Sequence, residues 1–308
     1  MQDSQAEGQE QDYHYDIRTI ERMFKRLPQE QQQETWLKFS NVMEGYAEKH
    51  GQQFKIELMS EHTDDAQKLL DNWGKMQGLS SGYRKIDELT KGLADGEMIV
   101  IGGKTSHGKT LVAINIANKV AIQGTPVLFV TMEMTKAEVT SRFMKINEGS
   151  VDGYSNVSAM IAFQSVDELN WKSIDGLVES FVKDMDKGLI VIDHLHYFTR
   201  SLENVAEDLG RITKEIKKNA IRHNIPIILI SHVRKTNSSR DVDIDDLRGS
   251  SYVSQDADIV LMINRNADNQ KEFRIRIDKN RNRGFDFKQP EVTMYLDGIR
   301  LSNDEFYA

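Results

Sequence analysis

Four short runs of the chain are almost wholly apolar: Ile99 to Gly102, Val127 to Thr131, Leu189 to Ile192 and Ile227 to Ile230, each rich in valine or isoleucine. Strands covered by helices on both faces have this composition, so the four runs predict buried parallel strands. Segments of helical spacing lie between them, such as Leu111-Val-Ala-Ile-Asn-Ile-Ala-Asn-Lys119. Farther on, Ile259 to Ile263, Phe273 to Asp278 and Val292 to Leu296 predict more strands, the last two alternating as edge or antiparallel strands do. No repeat with a period of about 20 to 50 residues is present. Strands alternating with helices predict an α/β domain with a mostly parallel central sheet.

The N-terminal part has a different pattern. Residues 1–16 carry Asp3, Glu7, Glu10, Asp12 and Asp16 with no Lys or Arg, and are expected to be a disordered acidic tail. Ile20, Phe24 and Leu27, then Trp36, Leu37, Phe39, Val42, Met43 and Tyr46, recur at helical spacing around Pro28, which predicts two short helices. Such a pair buries little by itself. It is either a cap on the chain's own core or an arm for a partner or a second copy, and both readings stay open. Asp64 to Trp73 is amphipathic, with Ala66, Leu69, Leu70 and Trp73 on one face and Gly74 as its stop. The expected boundaries are a tail over 1–16, a helical N-terminal segment over 17–60, a linker helix over 61–77 and the α/β domain over 78–308.

At 308 residues the chain has room for one large core and a small appendage. No apolar run approaches the roughly 20 residues of a membrane span, and Met1 to Glu10 is polar rather than signal-like, so a soluble, cytoplasmic protein is expected. The absence of cysteine excludes disulfides and thiolate metal sites. A formal net charge of −8 argues against a surface that coats nucleic acid indiscriminately. It leaves room for a local basic channel, because Lys271, Arg274, Arg276, Lys279, Arg281 and Arg283 face only Glu272 and Asp278 within that stretch.

The chemistry concentrates after the first strand. Gly103-Lys104-Thr105-Ser106-His107-Gly108-Lys109-Thr110, followed by Leu111, fits G-x-x-x-x-G-K-[ST], a loop whose backbone N–H groups curl around a phosphate. A helix starting near Gly108 aims the positive end of its dipole at that phosphate. Lys109 is placed to reach the β and γ phosphates of ATP or another nucleoside triphosphate, and Thr110 to offer its hydroxyl to Mg²⁺. Asp193 ends the strand Val191-Ile-Asp and is a second candidate ligand for the metal or its water; a buried aspartate capping the next turn is the alternative. Glu133 follows another strand and suits a general base for water, where an isolated glutamate would otherwise be a solvated surface residue. His232 ends the strand Ile227 to Ile230 plus Ser231, and could sense the γ phosphate or be purely structural. The polar segment after it, from Arg234 to Tyr252, is expected to be a long mobile loop between two buried strands.

Several blocks then occur in a recognisable order: Gly82-Tyr-Arg-Lys-Ile-Asp-Glu-Leu-Thr-Lys-Gly92, the phosphate loop, Thr131-Met-Glu-Met134, Val191-Ile-Asp-His194, Ile230-Ser-His232, Asp246-Leu-Arg-Gly-Ser-Ser251, Gln255-Asp-Ala-Asp258 and Lys279-Asn-Arg-Asn282. Over roughly residues 65 to 303 the chain resembles the C-terminal motor domain of the DnaB-like replicative helicases, which have a RecA-like fold. The resemblance implies that Glu133 is the catalytic base and Asp193 the acid that holds Mg²⁺. It implies that Lys279 and Arg281 reach into a neighbouring subunit's site, with Arg281 as the arginine finger, and that Arg248, Gly249, Ser250 and Ser251 form a loop on single-stranded DNA. His232 stands where the family more often has glutamine. Residues 1 to about 60 do not resemble the family's usual N-terminal domain. The implied function is an ATP-dependent DNA helicase working as a homo-hexamer, with a primase or other replisome partner on the N-terminal segment. Two other readings remain open at this point: a RecA-like recombination or regulatory ATPase that does not unwind, and a non-catalytic assembly factor for a helicase ring.

Overall fold

The computed structural model describes residues 63–71, 75–131, 133–147, 161–165, 173–193, 205–234, 240–247, 250–266, 268–281 and 290–303, with isolated positions at 26–28, 31, 32, 35, 38 and 59. The chain divides into two units, Met1–Asp71 and Asn72–Ala308. In the first, Gln31 and Gln32 donate backbone hydrogen bonds to Pro28 O and open a helical turn, and Thr63–Asp71 forms helix α1. The expected tail over 1–16 and most of the helical segment over 17–60 lie outside the described residues.

The second unit is a sheet wrapped by helices. In chain order it contains α2 (Arg84–Thr90), β1 (Met98–Gly103), α3 (Lys109–Ile122), β2 (Val127–Thr131), α4 (Lys136–Ile146), β3 (Ile161–Ser165), α5 (Ser173–Met185), β4 (Leu189–Asp193), α6 (Val205–His223), β5 (Ile227–His232), α7 (Ser250–Asp256), β6 (Ile259–Arg265), β7 (Glu272–Asn280), β8 (Glu291–Asp297) and β9 (Arg300–Ser302). Among the described residues the strands form one sheet in the order β3-β2-β4-β5-β1-β6-β7-β8-β9. The first six in that order pair in parallel, and β7, β8 and β9 continue antiparallel.

Sequence pattern explains the division. β1, β2 and β4 are buried along their whole length, as runs without polar alternation must be when helices cover both faces. Alternate residues then serve different cores. Ile99 and Ile101 pack with Val112 and Ile116 of α3 on one face, while Met98 and Val100 pack with Ile212 and Ile216 of α6 on the other. Each such side chain contributes roughly 1.5–3 kcal/mol by leaving water. β7 alternates half-buried and buried positions, and its half-buried face carries Arg274, Arg276 and Asp278.

Three expectations change. The strands at β6, β7 and β8 run longer than their apolar cores, because polar Asn264, Arg265 and Asn280 still find partners in the ladder. β3 and β9 have no counterpart in the sequence pattern, being too short and mixed to show a period. The segment after His232 is not a free loop throughout. Residues 240–247 are fastened to the sheet: Asn264 Oδ1 accepts from Val242 N at 2.8 Å, Asp278 Oδ2 accepts from Ile244 N at 2.8 Å, and Val233 bridges Leu247.

Candidate nucleotide site

The parallel strands β1, β5, β4 and β2 end side by side. In register, Gly103 sits opposite His232 and Thr131 opposite Asp193, so one edge of the sheet collects the phosphate loop, His232 and Asp193, with Glu133 two residues beyond β2. This is the crevice at the carboxyl ends of the strands where open α/β sheets bind ligands. A turn closed by the Thr131 hydroxyl, which donates to Met134 O at 2.7 Å, carries the chain past Glu133 into α4. There Thr135 and Glu138 form a capping box.

The loop's curl is set by backbone requirements. Gly108 has φ +91°, and a Cβ there would lie 2.4 Å from Phe273 Cε1. A Cβ on Gly103 would stand 2.9 Å from Ile263 O. Gly108 is the N-cap of α3 and supplies no capping side chain, so the first-turn N–H groups are left for an external acceptor.

Charge is packed tightly behind this rim. Lys109 is 4% exposed, and its ammonium donates to Lys104 O at 3.0 Å. Burial lowers its pKa to about 8, with Asp193 and Glu133 opposing. The Thr110 hydroxyl donates to Asp193 Oδ1 at 3.2 Å. Asp193 is fully buried, and burial raises its carboxyl to about 7; the charge of Glu133 adds to the rise, while the Thr110 hydrogen bond, Lys109 and Arg142 oppose it. Both shifts have one main cause, burial, which favours the neutral form of each group. A bound polyphosphate with a divalent cation would add negative charge beside Lys109 and positive charge beside Asp193, favouring the charged form of each. The oxygen donors of Thr110 and Asp193 suit a hard cation such as Mg²⁺. Glu133 is exposed, and its charge acts on both Lys109 and Asp193.

The other predicted residues fall elsewhere. His107 is half-buried beside Lys104, Lys109 and Arg265, and its Nδ1 has no hydrogen-bond partner among the described residues. Lys104 donates to Arg240 O at 3.1 Å, which ties the loop to the fastened segment. Lys279 and Arg281 lie at the opposite end of the sheet, because Asn280 pairs with Ile259, which pairs with Ile99 near the start of β1. The four residue steps from Ile99 to Gly103, at about 3.3 Å each, put that level roughly 13 Å along the strand from the start of the phosphate loop. Arg248 and Gly249 are outside the described residues; Ser250 and Ser251 open α7, and their side chains are also outside them. Tyr252 lies over Gly210 of α6.

Part of the basic stretch from Lys271 to Arg283 is paired. Arg274 pairs with Asp241 at 2.7 Å and Arg276 with Asp278 at 2.6 Å, so these cations hold the 240–247 segment instead of facing solvent. Sequence reasoning missed Arg142, whose charge reaches Asp193, and Phe273, which fills the space under Gly108. Neither carries a local signal, since each acts only through a neighbour distant in sequence.

Comparison with known proteins bears on family and fold. A family model described as the DnaB-like helicase C terminal domain matches residues 78–173 and 154–289. A probable replicative DNA helicase of Trieres chinensis is 30% identical over 233 residues, which is 66% of this chain and 51% of that protein. The replicative DNA helicase DnaB of Geobacillus stearothermophilus is 25% identical over 276 residues, 78% of this chain and 61% of that protein. The chain thus spans about half the length of the curated relatives it matches. Among solved structures, one described as an ATPase domain superposes with TM-score 0.66 at 18% identity, covering 78% of this chain and 96% of that one. A DnaB-like replicative helicase, solved for its interactions with primase, gives 0.63 at 18%, covering 80% of this chain and 67% of that one. At that identity the two structures speak for the fold alone, a RecA-like sheet.

Proposed function

This chain belongs to the DnaB-like helicase C-terminal domain family, and from that premise we propose that it is an ATP-driven motor that translocates on single-stranded DNA as a ring of six subunits. Lys109 and the α3 N-terminus hold the phosphates, Thr110 and Asp193 hold Mg²⁺, and Glu133 takes a proton from the attacking water. The metal, when bound, supplies positive charge to the phosphoryl oxygens. His232, level with Gly103, senses the γ phosphate. Arg281, with Lys279 beside it, stabilises the transferring phosphoryl group of a neighbour.

One observation carries the reading: the base, the metal pair and the phosphate loop share one end of the sheet, and the cations needed to finish the site stand at the other end. A single subunit cannot bring them together, whereas a ring can. Arg248, Gly249, Ser250 and Ser251 are assigned to the DNA-contacting loop, where grip is on phosphates and does not depend on base sequence. The N-terminal segment is assigned to a primase or another replisome partner, with support from the solved relative that interacts with primase.

The test is unwinding of a forked duplex with Mg²⁺ and ATP, beside single-stranded-DNA-stimulated hydrolysis. Glu133→Gln is expected to lower hydrolysis by about 10²–10⁴-fold while nucleotide still binds. Lys109→Ala is expected to lose both. Hydrolysis stimulated by DNA without strand separation would overturn the helicase reading, and full function in both variants would overturn the catalytic one.

A further inference from the structure

Asp258 lies between α7 and β6, at the end of the sheet away from the phosphate loop, and is 2% exposed. Its two oxygens face different partners. Oδ2 accepts from the backbone N–H of Met98, the first residue of β1, at 2.8 Å and from the Lys217 ammonium at 2.6 Å. Oδ1 faces the Arg281 guanidinium at 3.5 Å, and Asp258 O accepts the Arg281 backbone N–H at 2.8 Å. Another guanidinium nitrogen of Arg281 donates to Gln255 O at 2.7 Å. Lys279 stands alongside, donating to Ser254 O at 2.6 Å and Gln255 O at 3.2 Å. The Arg281 side chain nevertheless remains 47% exposed.

We infer that Asp258, steadied by Lys217, is a positioning residue for Arg281. The inference rests on the reading of Arg281 as a finger that acts in a neighbouring subunit. An arginine at a strand end with half its surface in water would otherwise sample many rotamers and lose that freedom when it engages. A buried carboxylate fixed to the backbone of β1 removes that freedom. It draws Nη1 toward Asp258 while Nη2 donates to Gln255 O, and the half-exposed guanidinium, with five N–H donors, keeps others for a phosphoryl group. Lys217 shares the carboxylate's charge, so Arg281 is oriented without being locked; the 3.5 Å separation is that of a guide contact. Asp258 also bonds β1, so the finger is indexed to the strand that carries the subunit's own phosphate loop. The residues that give and receive the finger are thereby set against one rigid element.

The experiment is a double-mutant cycle on the full chain with single-stranded DNA, reading kcat, KM for ATP and the affinity for a fluorescent ADP analogue. Asp258→Asn is expected to lower kcat by roughly tenfold, a part of the ~10³–10⁵ that a finger supplies. KM and analogue affinity should stay within about twofold, because the subunit's own phosphate loop is untouched. In an Arg281→Ala background Asp258→Asn should lower kcat no further, since the residue through which it acts is gone. A further drop in that background, or a loss of analogue affinity in step with kcat, would overturn the inference and assign Asp258 to β1 alone. An Arg281→Ala variant with undiminished kcat would remove the finger reading itself, and the inference with it. If Asp258→Asn does not fold, Lys217→Gln perturbs the same carboxylate more gently: a smaller fall in kcat, absent in the Arg281→Ala background, supports the inference, and equal falls in both backgrounds refute it.

Discussion

Thr110 donates its hydroxyl to Asp193 Oδ1 across 3.2 Å, joining residues 83 apart in the chain. The contact brings the first turn of α3 against the end of β4, so the pair of oxygens proposed for Mg²⁺ is assembled by the fold itself.

That arrangement costs stability. Asp193 is fully buried, with its carboxyl raised mainly by burial. Asp193→Asn retains an oxygen for the Thr110 hydroxyl and removes a buried charge. At about pH 8, without nucleotide or metal, it is expected to raise Tm by ~2–4 °C for each kcal/mol relieved, while hydrolysis is lost. Differential scanning calorimetry beside a phosphate-release assay checks both halves. A lower Tm would mean that the carboxylate holds the site together instead of straining it.

Gly108→Ala is expected to be more harmful than its size suggests. The φ of +91° costs an alanine roughly 1–3 kcal/mol, and the new methyl would strike Phe273. Gly124→Ala is the control, with φ +80° and nothing within 4 Å of the added Cβ. The two should share the backbone penalty, and only the first should weaken nucleotide binding in a titration.

His107 sets a pH dependence. Burial lowers its pKa below 6.5, with Lys104, Lys109 and Arg265 adding to the fall and Asp241 opposing it. Just below pH 6.5 the unfolded chain therefore binds the proton more readily than the folded one, and stability falls as pH drops through that value. His107→Asn should flatten the acid limb of a Tm-versus-pH curve and leave the limb above about pH 7 unchanged. Parallel curves at all pH values would contradict this.

Asn264 holds Val242 from both sides, accepting its N–H at 2.8 Å and donating to its C=O at 3.1 Å. Arg276 also donates to that C=O at 3.2 Å, so Asn264→Leu strands only the N–H. The expected loss is about 1–3 kcal/mol in chemical denaturation. Because the 240–247 segment leads into the proposed DNA loop, DNA stimulation of hydrolysis should weaken more than hydrolysis without DNA. Equal loss of the two would place the segment outside the DNA response.

Local signals carried much of this. Ile99 to Gly102 and Leu189 to Ile192 announced buried strands because uninterrupted β-branched residues suit a pleat covered on both faces. Gly103 to Thr110 was legible as a candidate phosphate loop because its glycines, lysine and threonine stand together in the chain. Asp278, two residues along β7, is a local partner of Arg276, whereas Asp241 meets Arg274 only once the fastened segment lies across β6 and β7. His232 was placed at its strand tip by its apolar run, while its level opposite Gly103 came from strand pairing.

By itself the sequence determined most of the strands and the glycine-lysine-threonine loop motif after the first of them, because each depends on neighbours within a few residues. Tertiary structure alone decided that Thr110 meets Asp193, that Arg281 stands at the far end of the sheet from its own phosphate loop, and that Asp258 lies beneath it. These are consequences of strand order and register, which bring together residues that no local pattern links. The physical reason is that burial and charge pairing act through space, and space is assigned only when the sheet closes.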